Sequence, residues 1–216
     1  MELTLTRPDD WHLHVRDGAT LASVLPHTAR QFGRAIIMPN LQPPVTTSAL
    51  AIDYRKRILS ALPLDADFSP LMTLYLTDNT TADDIIEAHA SQLVHAVKLY
   101  PAGATTHSDA GVTAISNTYA TLEVMEKLGM PLLVHAEVTD ASVDVFDREK
   151  AFIDSTLEPL TVRYPALKVV LEHVTTRDGV DFVLNSADSV AATITAHHLL
   201  LNRNAMFSGG LQPHAY

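Results

Sequence analysis

Short apolar runs alternate with helical patterns along the whole chain, and this alternation constrains the fold more than any other feature. Several of the runs are almost continuously apolar, as in strands that are buried on both faces of a parallel sheet. The stretch 114–128 instead places Leu122, Met125 and Leu128 on one helical stripe, which stops before Gly129. This repeated alternation predicts βαβ units and a parallel sheet.

The number of strands narrows the architecture further. The strand candidates are 11–15, 35–38, 70–76, 96–100, 131–136, 168–172 and 190–196, and the helical segments between them are 48–62, 82–94, 114–128, 148–164 and 177–184. Seven strands fit an α/β fold of the (β/α)8 TIM-barrel type that lacks its last strand–helix unit. No shift in composition marks a boundary, so we expect residues 1–216 to form one incomplete barrel domain.

Several classes of protein are excluded by what the sequence lacks. None of the 8 glycines forms the G-x-G-x-x-G turn of dinucleotide folds, and the P-loop and nucleophile-elbow motifs are also missing. A formal net charge of −10 argues against a nucleic-acid surface, which needs a basic face. No apolar run reaches the roughly 18–20 residues that span a bilayer, and the N-terminus has no signal-peptide pattern. We therefore expect a cytoplasmic protein without nucleic-acid or membrane partners.

The chain contains 11 histidines and no cysteine. The absence of cysteine excludes disulfide frameworks, cysteine-rich zinc sites and iron–sulfur clusters. Any metal must be held by nitrogen and oxygen ligands, the set that is typical of catalytic sites with an open position.

The pair His12 and His14 is the first candidate for such a site. Side chains at i and i+2 of a strand share a face and lie roughly 6.5–7 Å apart along the chain, so the two rings can converge on one ion. The competing interpretation is two polar residues on a half-solvated strand.

Three further residues lie late in other strands. His135 and His173 follow apolar runs, and Lys98 interrupts the apolar run 96–100. The carboxyl ends of barrel strands are where TIM barrels place their active sites. A single residue of this kind is more often structural. Together with His12 and His14, however, these three residues make four histidines and a lysine on four strands near one end.

The other histidine patterns give no further candidate for a metal site. His135-Ala136-Glu137 matches half of the zinc deaminase signature, whose other half needs cysteine. His27, His107 and the pair 197–198 have no partner at a ligand spacing, so we interpret them as surface or structural residues.

Together these motifs resemble the bacterial class II dihydroorotases of the amidohydrolase superfamily. The resemblance covers essentially the whole chain and is carried by Arg7-Pro8-Asp9-Asp10-Trp11-His12-Leu13-His14-Val15-Arg16-Asp17-Gly18, Met38-Pro39-Asn40-Leu41, Lys98-Leu99-Tyr100-Pro101-Ala102-Gly103-Ala104-Thr105-Thr106, Val134-His135-Ala136-Glu137 and Leu171-Glu172-His173. It implies a TIM barrel with a centre of two zinc ions. The implied metal ligands are His12, His14, His135, His173 and an N6-carboxylated Lys98 that bridges the two ions.

The resemblance also implies a reaction and its substrate contacts. The reaction is the reversible, zinc-dependent interconversion of N-carbamoyl-L-aspartate and L-dihydroorotate in pyrimidine biosynthesis, carried out by a homodimer. Arg16 and Asn40 match residues that bind the substrate carboxylate, which suits an arginine fork. Thr105 and Thr106 match a mobile loop that closes over the substrate.

One expected residue is missing. The family's general acid/base is an aspartate at the end of the eighth strand, and no residue matches that position, so we expect no catalytic residue in a chain that we interpret as C-terminally truncated. Asp17 and Asp140 lie near the ligand histidines in sequence without matching it. Two alternatives stay open, namely another cyclic amidohydrolase such as a hydantoinase or allantoinase, and a non-catalytic metal-binding fragment.

Overall fold

Seven parallel strands form one sheet in which each strand pairs with its neighbours in chain order. The computed structural model describes residues 2–215. The strands are β1 (Asp9–Leu13), β2 (Arg34–Ile37), β3 (Ser69–Tyr75), β4 (Val94–Leu99), β5 (Leu132–Val134), β6 (Val169–Leu171) and β7 (Val190–Ala192). The predicted α/β fold with seven barrel strands is confirmed, and no eighth strand pairs with the sheet within the described residues.

Residues 2–215 form eight α-helices, of which seven lie between successive strands and the last follows β7. They are α1 (Gly18–Gln31), α2 (Ser48–Ser60), α3 (Ala82–Ala90), α4 (Tyr119–Leu128), α5 (Arg148–Phe152), α6 (Glu158–Arg163), α7 (Arg177–Asn185) and α8 (Ala196–Leu200). Threonine is the N-cap of three of them, α2, α3 and α7. The side chains of Thr47, Thr81 and Thr176 each accept a hydrogen bond from a backbone N–H of the first turn.

Three predicted helices differ from the observed ones. The stretch 114–128 begins with a 3-10 turn, Ile115–Thr118, before α4, and 148–164 contains a π-helical turn, Ile153–Leu157, between α5 and α6. The predicted segment 82–94 is too long, because α3 ends at Ala90 and β4 already begins at Val94.

The strand ends also differ in ways that matter for the site. β1 ends at Leu13, so His14 lies just beyond the strand rather than within it. β7 ends at Ala192, four residues before the predicted end, because α8 begins at Ala196. The expectation of strands buried on both faces holds for β5 but not for β7, whose Ala191 and Ala192 are exposed.

The apolar core consists of two clusters on opposite faces of the sheet. The larger one packs helices against the sheet and includes Leu25, Tyr54 and Leu122. The smaller one comprises Ile36, Met38, Ala96 and Leu133, with Leu71 and Val170 packed against it. Both faces of the sheet are therefore covered. Because the strands are parallel, their carboxyl ends lie at one edge of the sheet, and the candidate site residues lie at this edge. Among residues 2–215, no helix is both long enough and apolar enough to span a bilayer.

Candidate metal centre

Four histidines from three strands meet at the carboxyl end of the sheet. His12 lies in β1, His14 follows it, His135 follows β5 directly, and His173 is the second residue after β6. The ring centroids are 5.0 Å apart for His12 and His14, 5.1 Å for His12 and His173, and 4.8 Å for His135 and His173. The structure therefore brings together all four histidines that the sequence singled out.

The ring nitrogens form two pairs. Nε2 of His12 lies 3.0 Å from Nε2 of His14, and Nδ1 of His135 lies 3.2 Å from Nε2 of His173. Two nitrogens on one tetrahedral zinc ion, each about 2.0–2.1 Å from the metal, are separated by about 3.3–3.4 Å. Each pair is thus spaced as two ligands of one ion would be.

Lys98 lies among these rings in β4 and is completely buried. Its ammonium pairs with the carboxylate of Glu172, which is also completely buried. Its Nζ lies 4.9 Å from the ring centroid of Tyr100. Burial lowers the pKa of Lys98, although Glu172 acts in the opposite direction, so the site favours the neutral amine more than water does.

Burial also keeps two of the imidazoles neutral. It lowers the pKa of His14 to about 3, with further contributions from the neighbouring His12, Arg16 and Lys98. It lowers the pKa of His173 far below its usual range, with Lys98 as the next cause. Neutral imidazole is the form that binds a metal ion.

Within residues 2–215, no three histidine, cysteine, aspartate or glutamate side chains form a metal-binding group as they stand. This agrees with the pairing of the rings, because two histidines per ion leave the remaining positions to other ligands. A carboxylated Lys98 would supply an oxygen to each ion. The residues present therefore fit a two-ion centre, provided that Lys98 contributes to both ions.

Backbone geometry holds two site residues in an unusual conformation. Arg16 has φ 58° and His173 has φ 42°, in the left-handed region that non-glycine residues rarely adopt. The hydroxyl of Tyr54 donates to the Arg16 carbonyl at 2.5 Å, and the His173 N–H donates to the Thr193 hydroxyl at 2.8 Å. Such strain costs about 1–3 kcal/mol per residue and is typical of functional sites.

Arg16 and Asn40, the predicted carboxylate-binding residues, carry polar atoms without partners. Nη1 of Arg16 and Oδ1 of Asn40 are both buried and have no hydrogen-bond partner among the described residues. Buried polar atoms of this kind are normally satisfied, so each one needs an explanation. A cavity of about 250 Å³ is lined by Arg16, Leu41 and His107.

The loop that carries Thr105 and Thr106 contacts Asn40. Nδ2 of Asn40 donates to the Thr106 carbonyl at 3.1 Å, and Nδ1 of His107 lies 3.3 Å from the Asn40 carbonyl. Both threonines are exposed. From the sequence, His107 was interpreted as a surface or structural residue that could contact substrate if it lay in a loop, and the structure places it beside Asn40.

The two aspartates near the ligand histidines in sequence are engaged elsewhere. Asp17 accepts a hydrogen bond from the Gly18 N–H at the start of α1 and pairs with Arg57. Asp140 is exposed and accepts hydrogen bonds from Ser142.

Sequence reasoning gave Glu172 no role, and the structure places it at the centre of the site. Its Oε2 contacts Lys98 and also lies 3.0 Å from Nδ1 of His12. A signal was available, because Glu172 ends an apolar run just as Lys98 interrupts one. Buried charges need partners, so the two residues could have been paired.

Comparisons with known proteins agree with this geometry. The model of the amidohydrolase family matches residues 9–213. A dihydroorotase from Leptothrix cholodnii is 67% identical over 214 residues, which is 99% of this chain and 62% of that protein. The resemblance to dihydroorotases that the motifs indicated is thereby confirmed.

Solved structures give the same result. A crystal structure of dihydroorotase from Campylobacter jejuni matches with a TM-score of 0.88 at 39% identity, covering 96% of this chain and 60% of that one. Dihydroorotase from Saccharomyces cerevisiae, in complex with 5-fluoroorotic acid, matches with a TM-score of 0.82 at 36% identity, covering 92% and 58%. The chain spans about three fifths of the length of these relatives. It belongs to the amidohydrolase family.

Proposed function

We propose that the protein carrying this chain is a zinc-dependent dihydroorotase that interconverts N-carbamoyl-L-aspartate and L-dihydroorotate in pyrimidine biosynthesis. The observation that carries the proposal is the arrangement of four histidines in two pairs around the buried Lys98. It occurs in a chain that is 67% identical to a dihydroorotase over 99% of its length.

His12 and His14 would hold one ion, His135 and His173 the other, and a carboxylated Lys98 would bridge them. Carboxylation requires the neutral amine, whose nitrogen attacks the carbon of CO₂ and loses a proton to solvent as the N–C bond forms. Burial lowers the pKa of Lys98, which favours this amine. Two zinc ions, when bound, lower the pKa of a water nucleophile and polarise the amide carbonyl.

Arg16 and Asn40 would bind the substrate carboxylate. The buried Nη1 of Arg16 is a donor without a partner, and a guanidinium fork matches a carboxylate. Since Asn40 also donates to the carbonyl of Thr106, substrate at this position would be linked to the loop that contains Thr105 and Thr106. Closure of this loop would exclude water from the site.

The ring nitrogen that leaves during hydrolysis needs a proton. Neither Asp17 nor Asp140 faces the histidines, because one caps α1 and the other lies exposed in a turn. We therefore assign this proton transfer to no residue among 2–215.

The proposal is tested by supplying L-dihydroorotate and hydantoin to the full-length protein that carries this chain, purified and loaded with zinc in bicarbonate buffer. We expect dihydroorotate to be hydrolysed and hydantoin, which lacks the carboxylate for Arg16, to be a much poorer substrate. Preference for hydantoin would favour another cyclic amidohydrolase. Bound zinc without turnover of either compound would favour a non-catalytic metal-binding protein.

A variant tests the role of Lys98 directly. In the full-length protein, Lys98→Ala should lose bridged zinc and activity, and short carboxylic acids should restore part of both by taking the place of the missing carboxylate. An active alanine variant in the absence of such acids would contradict the bridging role.

The homodimer that the resemblance implies stays a prediction, which sedimentation equilibrium checks.

A further inference from the structure

Among residues 2–215, Glu172 is a buried carboxylate that touches residues on two other strands of the site. It follows β6 directly, where its N–H donates to the Val134 carbonyl at 3.1 Å. Its side chain is completely buried. Because an ionised carboxylate is costly to bury unless it is paired, its contacts must account for its presence.

One oxygen of Glu172 serves two partners. Oε2 accepts a hydrogen bond from Nζ of Lys98 in β4, and it also lies 3.0 Å from Nδ1 of His12 in β1. Nδ1 of His12 nevertheless lacks a hydrogen bond of normal geometry, and Oε1 of Glu172 has no partner among the described residues. Because Oε2 already accepts a hydrogen bond from Lys98, its contact with His12 is short but lacks the geometry of a normal hydrogen bond.

The other nitrogen of His12 explains why this contact matters. Nε2 of His12 faces Nε2 of His14 at 3.0 Å, so the metal-binding side of the ring is its Nε2 side. A neutral imidazole that binds a metal through Nε2 carries its proton on Nδ1. A carboxylate beside Nδ1 favours that tautomer and fixes the orientation of the ring.

We infer that Glu172 is a positioning residue that exchanges partners as the metal centre is assembled. Before carboxylation it holds the ammonium of Lys98 within the site. Once that nitrogen carries a carboxylate, it keeps a single N–H and no positive charge, so its attraction for Oε2 weakens and Oε2 accepts the Nδ1–H of His12. The inference rests on the proposed metal centre and adds to it a residue that binds no metal itself.

The first experiment measures zinc affinity by competition with a chromophoric chelator. Glu172→Leu should weaken zinc binding about 10–100-fold, the usual effect of removing the outer partner of a ligand histidine. Glu126→Gln is the control, because Glu126 accepts a hydrogen bond from the Ala166 N–H away from the four histidines. Its affinity should equal that of the unmodified protein. Equal affinity in Glu172→Leu would overturn the inference.

Glu172→Leu leaves the Lys98 ammonium without its buried partner, which by itself could prevent folding. The second experiment therefore compares Lys98→Met, in which His12 is the remaining partner of Glu172, with the double variant Lys98→Met/Glu172→Leu, which contains neither buried charge. Both are studied without metal by NMR of the ¹⁵N-labelled histidine rings. With Oε2 free for His12, Lys98→Met should contain His12 protonated on Nδ1, and the double variant should shift it toward protonation on Nε2.

The NMR comparison needs neither metal nor activity, so its outcome is separate from that of the proposed function. The same tautomer of His12 in both variants would show that Glu172 serves only Lys98, and the inference would be wrong. If the unmodified protein binds no zinc, the proposed metal centre fails, whereas zinc binding that is insensitive to Glu172 removes only the positioning role.

Discussion

At the scale of single residues, the pairing of the imidazoles predicts which ion each histidine affects. His14→Ala removes one of the two nitrogens that lie 3.0 Å apart in its pair and leaves the pair of His135 and His173 intact. We expect bound zinc to fall by about one ion per chain, since a single imidazole cannot complete a zinc site. Elemental analysis after dialysis measures the loss.

The control for this variant is His27→Ala, because His27 is exposed on α1. It should keep the zinc content of the unmodified protein. Unchanged zinc in His14→Ala, or complete loss in His27→Ala, would contradict the assignment.

Arg16 offers a prediction about the substrate rather than the metal. Arg16→Lys keeps the positive charge but loses the planar fork that binds a carboxylate through two parallel hydrogen bonds. A hydrogen bond to a charged group contributes about 1.5–3 kcal/mol, so we expect KM for L-dihydroorotate to rise about 10–100-fold, with a smaller change in kcat.

Steady-state kinetics at constant zinc concentration separate the two parameters. Arg34→Lys is the matched control, because the exposed Arg34 pairs with Asp9 at the surface. If Arg16→Lys lowers kcat and leaves KM unchanged, Arg16 does not bind the substrate in its ground state.

The convergence of His12 and His14 could be predicted from the two-residue period of a strand. Their meeting with His135 and His173 followed from the rule that parallel strands end at one edge. The partner of Lys98 was missed, because Glu172 lies 74 residues further along the chain. The close approach of His107 to Asn40 was also missed, since loop geometry has no comparable period.

At the scale of elements, the loop after His173 is fastened to two helices. The carboxylate of Glu149 in α5 accepts hydrogen bonds from the backbone N–H groups of Thr175 and Thr176, and Thr176 in turn caps α7. This arrangement fixes the position of the segment that follows His173.

Gly179 in α7 makes the tightness of this arrangement testable. A Cβ at Gly179 would lie 2.7 Å from Oε1 of Glu149 and 2.8 Å from Cγ1 of Val174. Replacing glycine by alanine inside a helix usually stabilises it by about 1 kcal/mol. Here overpacking, which costs about 1–3 kcal/mol, should exceed that gain because the Glu149 carboxylate is already hydrogen-bonded.

Gly179→Ala should therefore lower the free energy of unfolding by about 1 kcal/mol, as measured by urea denaturation. Gly33→Ala is the control, because the nearest atoms to its Cβ would be 3.7 Å away in ordinary contact. We expect this control to be neutral or slightly stabilising. A stabilised Gly179→Ala variant would show that Glu149 and Val174 shift to admit the Cβ without lowering the free energy of unfolding.

Neither helix α1, which contains Pro26, nor the short helix α8 was predicted from the sequence. The early end of β7 could not be predicted either, because the apolar run continues into the loop before α8. Local patterns identify which elements exist better than where they end.

At the scale of the whole molecule, the order of the sheet has a consequence at its two ends. β1 and β7 each pair with one neighbour only within the described residues. Trp11 of β1 is 55% exposed, and Leu199 and Leu200, which follow β7, are 76% and 82% exposed. The centre of the sheet is buried, so the site residues on β4, β5 and β6 rest on the most constrained part of the fold. His12 lies in the end strand β1 and His14 follows it, so their geometry would depend more on an ion that they share.

This difference predicts that metal binding stabilises the entire fold. A ligand that binds only the folded state at 100 times its Kd contributes about 2.7 kcal/mol. For a chain of this size, about 2–4 °C of Tm corresponds to each kcal/mol, so zinc should raise Tm by about 5–10 °C.

Bicarbonate added with the zinc should increase the shift in Tm, because the carboxylated Lys98 supplies a ligand that the free amine does not. Differential scanning fluorimetry of the metal-free protein measures both effects. Lys98→Met, in which no carbamate can form, should respond to zinc but not to bicarbonate, and an equal bicarbonate effect in that variant would contradict the role of Lys98.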